Sequence, residues 1–174
     1  MRKPVSDRSR PFCDGSVVEL EETRDMELIR SVVTDPRVYP HVTDDYSPCA
    51  MDWRPIDNPR TIYLAVKVKG ETLGLLVLIK QNSICWKLHV CMLPKGYGKI
   101  AIEAMRKTYA WVWQNTPCRR IIGEVPKHNR RAFWFALRAG MRIFAVNPGS
   151  WLWKGAVEDL ILFGISRPGG AACL

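Results

Sequence analysis

Between Thr61 and Met92 three extended runs follow one another so closely that only an antiparallel meander accommodates them. Thr61 to Val68 and Thr72 to Ile79 are rich in Val, Ile and Leu, and Lys69-Gly70-Glu71 between them is a tight glycine turn. The third run, Ser83 to Met92, alternates: Trp86, Leu88, Val90 and Met92 share one face, Lys87 and His89 the other. A helical pattern over Gly98 to Gln114 follows, with Ile102, Met105, Tyr109, Val112 and Trp113 on one stripe. Arg120 to Val125 is then a strand, and a strand, helix, strand order implies a parallel neighbour across the sheet. Asn129 is the expected cap of a helix over Arg130 to Arg138, which Gly140 ends. Two last strands, about Met141 to Val146 and Val157 to Ser166, are expected to flank a Pro-Gly turn with Trp151 and Trp153.

Upstream, Val17 to Leu20 reads as a short strand, and Thr23 as the cap of a helix over about 24 to 34. Pro36, Pro40, Pro48 and Pro55 make Asp35 to Asn58 an irregular segment with short helical turns. The expected organisation is a flexible basic leader over residues 1–15, one domain over 16–167 and a frayed tail over 168–174.

A chain of 174 residues with 47% hydrophobic content builds one core. Its 26 basic and 17 acidic side chains give a net charge of +9, which favours anionic partners without choosing among them. No apolar stretch follows the basic start, so no signal peptide is expected, and no run reaches the length of a membrane span. The six cysteines show neither a Cys-x-x-Cys pair nor a neighbouring His at metal-ligand spacing. They read as reduced thiols of a cytoplasmic protein with no metal site, Cys85 and Cys91 being small apolar side chains of a strand.

The stretch Val90 to Ala101 carries the chemistry: an apolar strand runs through Pro94-Lys95-Gly96-Tyr97-Gly98-Lys99 straight into a helix. Free N–H groups and the positive end of the helix dipole then point at one place, which suits an anion. Gly96 and Gly98 are expected to let the backbone approach phosphate oxygens, with Lys95 and Lys99 adding charge. A Walker loop is excluded, because Gly98-Lys99 is followed by Ile100 and position 93 is Leu93. A dinucleotide fingerprint is excluded by Ala101 and by the antiparallel meander that precedes it.

In these residues the sequence resembles the GNAT superfamily of acyl-CoA-dependent N-acetyltransferases, whose signature Arg/Gln-x-x-Gly-x-Gly/Ala opens a long helix after the fourth strand. The block Glu124 to Met141 is similar to the family's next strand, Asn cap and helix, and the order of elements from 17 to 166 agrees. The resemblance implies an α/β fold with a mixed, mostly antiparallel sheet of about six to seven strands and helices on both faces. It further implies that the strand near Val90 splays from that at 121–125. Acetyl-CoA would lie in the gap against Cys91, Met92 and Leu93, its pyrophosphate held by the amides of Gly96, Tyr97, Gly98, Lys99 and Ile100. Lys95 would assist that loop, and Asn129 and Phe133 would touch the cofactor arm. Met92 or Leu93 would supply an N–H to the oxyanion. Glu124 is the expected base for amine acylation, His89 a second base or an acceptor contact.

Three positions depart from the family pattern: the leading Arg/Gln falls on Leu93, the general-acid Tyr on Ala136, and the aromatic after the helix on Met141. The expected activity is acetyl transfer to a primary amine of a protein or small molecule, by direct attack in a ternary complex. The alternative is a catalytically inactive acyl-CoA-binding or protein-interaction module. Arg119-Arg120 and Arg130-Arg131 suit an acidic peptide, the cofactor's 3′-phosphate or nucleic acid, although no DNA- or RNA-binding motif accompanies them. A homodimer is among the expected assemblies. Compactness, degenerate motifs and Trp-rich helices also resemble acetyltransferase-like proteins of bacteriophages. His41 and Tyr46 fall in the segment where acceptors dock on this fold, and His128 is expected to face solvent.

Overall fold

The structure, a computed structural model, describes residues 17–169. The expected leader and the tail beyond residue 169 lie outside the described residues. Seven strands form one sheet in the order β1-β2-β3-β4-β5-β7-β6: β1 Val18–Thr23, β2 Thr61–Val68, β3 Glu71–Lys80, β4 Cys85–Met92, β5 Arg120–Pro126, β6 Arg142–Trp153 and β7 Ala156–Ser166. Every neighbouring pair is antiparallel except β4 and β5, the parallel pair that the crossover pattern requires.

Alternation of side chains along the strands divides the apolar residues between two cores. Helices α2 (Lys99–Asn115) and α3 (Arg130–Arg138) cover one face, over Leu76, Leu78, Trp86, Leu88, Ile121 and Phe163. Helix α1 (Met26–Val33) covers the other, its Ile29, Val32 and Val33 packing with Tyr63, Leu75, Val77 and Cys91. Burial pushes the Cys91 thiol up to about 12, so it is an apolar filler and no nucleophile.

Several local expectations are corrected. The cap of α1 is Asp25, whose Oδ1 accepts the N–H groups of Glu27 and Leu28; Thr23 ends β1 instead. On α2 the buried stripe is rotated to Ala101, Ala104, Met105, Thr108, Tyr109 and Val112, leaving Ile102 and Trp113 only partly covered. Pro148-Gly149 is not the last turn: it lies inside β6, where the pairing shifts register between Asn147 and Trp151, and so behaves as a bulge. The hairpin turns at Lys154-Gly155, both with positive φ (52 and 75), and Asp45 holds that turn by accepting both N–H groups at 2.8 and 2.7 Å.

Candidate active site

β4 and β5 pair over only three rungs, Cys85↔Arg120, Trp86↔Ile121 and Lys87↔Ile122. Beyond Lys87 they part, although β4 runs on to Met92 and β5 to Pro126. Each is held by its outer partner, β4 by β3 as far as Met92 and β5 by β7 along its whole length. The result is a fork lined by strand edges.

Which main-chain groups face the fork follows from the antiparallel ladder. Leu93 N–H donates to Leu73 O at 2.9 Å. Alternation then directs Cys91 to β3 as well, and turns the N–H and C=O of Val90 and Met92 toward the open side. The expectation that Cys91 and Leu93 offer their backbone to a ligand is therefore corrected, and of the two oxyanion donors only Met92 remains.

At the mouth of the fork, Pro94–Gly96 forms one 3₁₀ turn. It consumes two of the expected amides: Gly96 N–H donates to Leu93 O at 2.8 Å and Tyr97 N–H to Pro94 O at 3.2 Å. Helix α2 begins with Ile102 N–H to Gly98 O at 3.1 Å, and no side chain among the described residues caps it. The N–H groups of Gly98, Lys99, Ile100 and Ala101 thus have no internal acceptor among the described residues, as the geometry of a helix start dictates.

The two glycines of the loop have different reasons to be glycine. Gly98 is exposed, with φ 75 and ψ −123, and a Cβ there would meet nothing within 4 Å. Gly96 is buried, and a Cβ would lie 2.5 Å from Met92 Cε and 2.7 Å from Leu73 O. Gly96 therefore seats the loop on β3 and β4 and does not approach a ligand. Lys95 bonds Glu71 at 2.8 Å, while Lys99 is exposed on the first turn of α2. The Arg131 guanidinium of α3 lies 4.9 Å over the Tyr97 ring and so spans the mouth, a contact that sequence reading missed because its partners are far apart in the chain.

On the face that carries α1, the last rung of the fork gathers three polar side chains. Lys87 Nζ lies 2.6 Å from Glu124 Oε2. His89, mostly buried beside them, is pushed down to about 4 by burial first and by Lys87 second, with Glu124 opposing. Glu124 and His89 thus lie on one face of the fork, and Lys87 joins them. A consequence for stability follows. Between about pH 6.5 and pH 4 the unfolded chain binds a proton at His89 that the folded chain does not, so stability present above 6.5 is lost as pH falls. The loss should approach about 3 kcal/mol near pH 4. Urea unfolding at pH 7 and pH 4.5 should show His89→Gln losing markedly less than wild type; equal losses would refute the assignment.

Most of the remaining candidates have structural partners. Asn129 caps α3 by accepting Ala132 N–H at 3.1 Å, and its Nδ2 donates to His41 O at 3.3 Å. Phe133, expected on the cofactor, is turned onto the core, edge-on to Phe163 with centroids 5.5 Å apart. Ala136 is buried in the same core. His128 is not solvent-facing: it stacks on Trp153 at 3.8 Å and its Nδ1 bonds Glu158 at 2.7 Å. Tyr46 is 84% exposed.

No protein-family model matches the sequence, and no curated protein is similar to it in sequence. Solved structures are similar in fold. The spermidine N-acetyltransferase from Vibrio cholerae, in complex with CoA and spermine, superposes with a TM-score of 0.74 at 14% identity, over 87% of this chain and 96% of that one. A GNAT-family acetyltransferase from Bacillus anthracis gives 0.70 at 16% identity, over 87% and 95%. The chain therefore has the fold of the GNAT acetyltransferases.

Proposed function

We propose that this protein is an N-acetyltransferase that moves the acetyl group of acetyl-CoA to a primary amine of a protein or small molecule by direct attack in a ternary complex. The carrying observation is the fork between β4 and β5 with an uncapped helix start at its mouth. Four unpartnered amides, an open space over Gly98 and the exposed Lys99 suit a diphosphate. The outward groups of Val90 and Met92 suit an extended amide chain added like a strand. The shared fold supports the reading, since one solved structure of that fold holds CoA and spermine.

Acetyl-CoA supplies the thioester carbonyl. Met92 N–H is the donor left free at the open edge for an oxygen that gains negative charge. Glu124 is the group that takes the amine's proton, and Lys87 holds its carboxylate in place. A second reading, an acyl-CoA-binding module without turnover, is favoured by the buried Ala136 at the expected position of the general acid.

Calorimetric titration with acetyl-CoA tests the first claim: saturable one-to-one binding is expected, and its absence would remove both readings. Thiol release with a panel of amines tests the second. Glu124→Gln should lower kcat by on the order of a hundredfold with little change in acetyl-CoA affinity. Binding without release for any amine would leave the silent module.

A further inference from the structure

Lys87 occupies the last rung at which β4 and β5 are joined, so its side chain stands where the fork opens. It lies on the sheet face shared with His89 and Cys91, the face that α1 covers and α2 and α3 do not. Its side chain is 22% exposed, and Nζ is already 2.6 Å from Glu124, the carboxylate assigned above to accept an acceptor's proton. An amine of the protein itself thus stands beside that base at the closed end of the slot.

We propose that Lys87 is an acyl acceptor, and that the protein acylates its own Lys87 Nζ from acyl-CoA held in the fork. The proposal rests on the reading that acetyl-CoA binds there. In the step, Glu124 removes a proton from the Lys87 ammonium and the freed Nζ lone pair attacks the thioester carbonyl carbon. The C–N bond forms and the C–S bond breaks. Nζ gives up a second proton, which goes to the departing sulfur, so the products are acetyl-Lys87 and coenzyme A with one proton left on Glu124.

Three other lysines among the described residues that pair with a carboxylate do so away from this rung. Lys67 pairs with Glu21 on the β1–β2 edge, Lys95 with Glu71, and Lys127 with Asp159 at the far end of β5. The full chain incubated with acetyl-CoA and no added amine, then digested and analysed by mass spectrometry, should show acetylation at Lys87 ahead of every other lysine. The rate should not depend on protein concentration, as expected for a reaction within one chain. Glu124→Gln should slow it by on the order of a hundredfold, and Gly98→Trp should abolish it. Lys87→Arg should carry no acetyl group at that position while still binding acetyl-CoA in the titration. Unmodified Lys87 in a protein that binds acetyl-CoA overturns this inference and leaves the proposed function standing. Failure to bind acetyl-CoA overturns both. Equal rates at Lys87 in wild type and in both variants would identify solution chemistry and refute the proposal.

Discussion

Replacing Gly98 with Trp is expected to abolish measurable acetyl-CoA binding while lowering stability by only about 1–3 kcal/mol, the cost of a side chain in a backbone region reserved for glycine. A Cβ at this position meets nothing within 4 Å, so the fold has room for the new side chain. That room is the space onto which the amides of Gly98 to Ala101 open. Hydrogen bonds to a charged group contribute about 1.5–3 kcal/mol each. Blocking two of them corresponds to a loss of roughly a hundredfold or more in affinity. Calorimetry with acetyl-CoA and thermal unfolding of the same preparation would check both halves. A folded variant that binds as tightly as wild type would exclude the start of α2 as the diphosphate site.

Gly96→Val should act the opposite way, through stability first. Here a Cβ would come within 2.5 Å of Met92 Cε and 2.7 Å of Leu73 O, and the second of these is main chain that cannot swing aside. Overpacking of this kind costs about 1–3 kcal/mol when only side chains yield, and more when backbone must move. A fall in Tm of roughly 5–10 °C is expected for a chain of this length. Cofactor binding should weaken as well, because the 3₁₀ turn that aims α2 would shift. Unchanged Tm would show that the turn is not seated on β3. One Gly-x-Gly motif therefore contains one glycine packed against its neighbours and one with open space beside it, and the paired variants test whether the second serves ligand access.

The meander from β2 to β4 was legible because alternation and a Lys-Gly turn act within a few residues of chain. The same holds for α3, where Asn129 caps, Arg130 to Arg138 wind and Gly140 stops at φ 89. The parallel relation of β4 to β5 was legible from element order, and the Gly-rich entry to α2 marked a helix start whose first amides are left without a backbone acceptor among the described residues. The choice of amides was not: Gly96 and Tyr97 were expected to donate outward, but a 3₁₀ turn bonds them to Leu93 and Pro94. Pro148-Gly149 resembled a turn and is a bulge, since Asp45, distant in sequence, stabilises the turn at Lys154-Gly155 instead.

What lies within reach of local chemistry, the periods, caps and tight turns, was already written in the order of the amino acids, because each depends on neighbours a few positions away. The fork, the joining of Lys87 to Glu124 and the bridge from Arg131 to Tyr97 come from folding in three dimensions. Beyond Lys87 the two strands part while each stays on its outer neighbour, β4 on β3 and β5 on β7. That separation joins residues far apart in the chain, and no single stretch of residues records it.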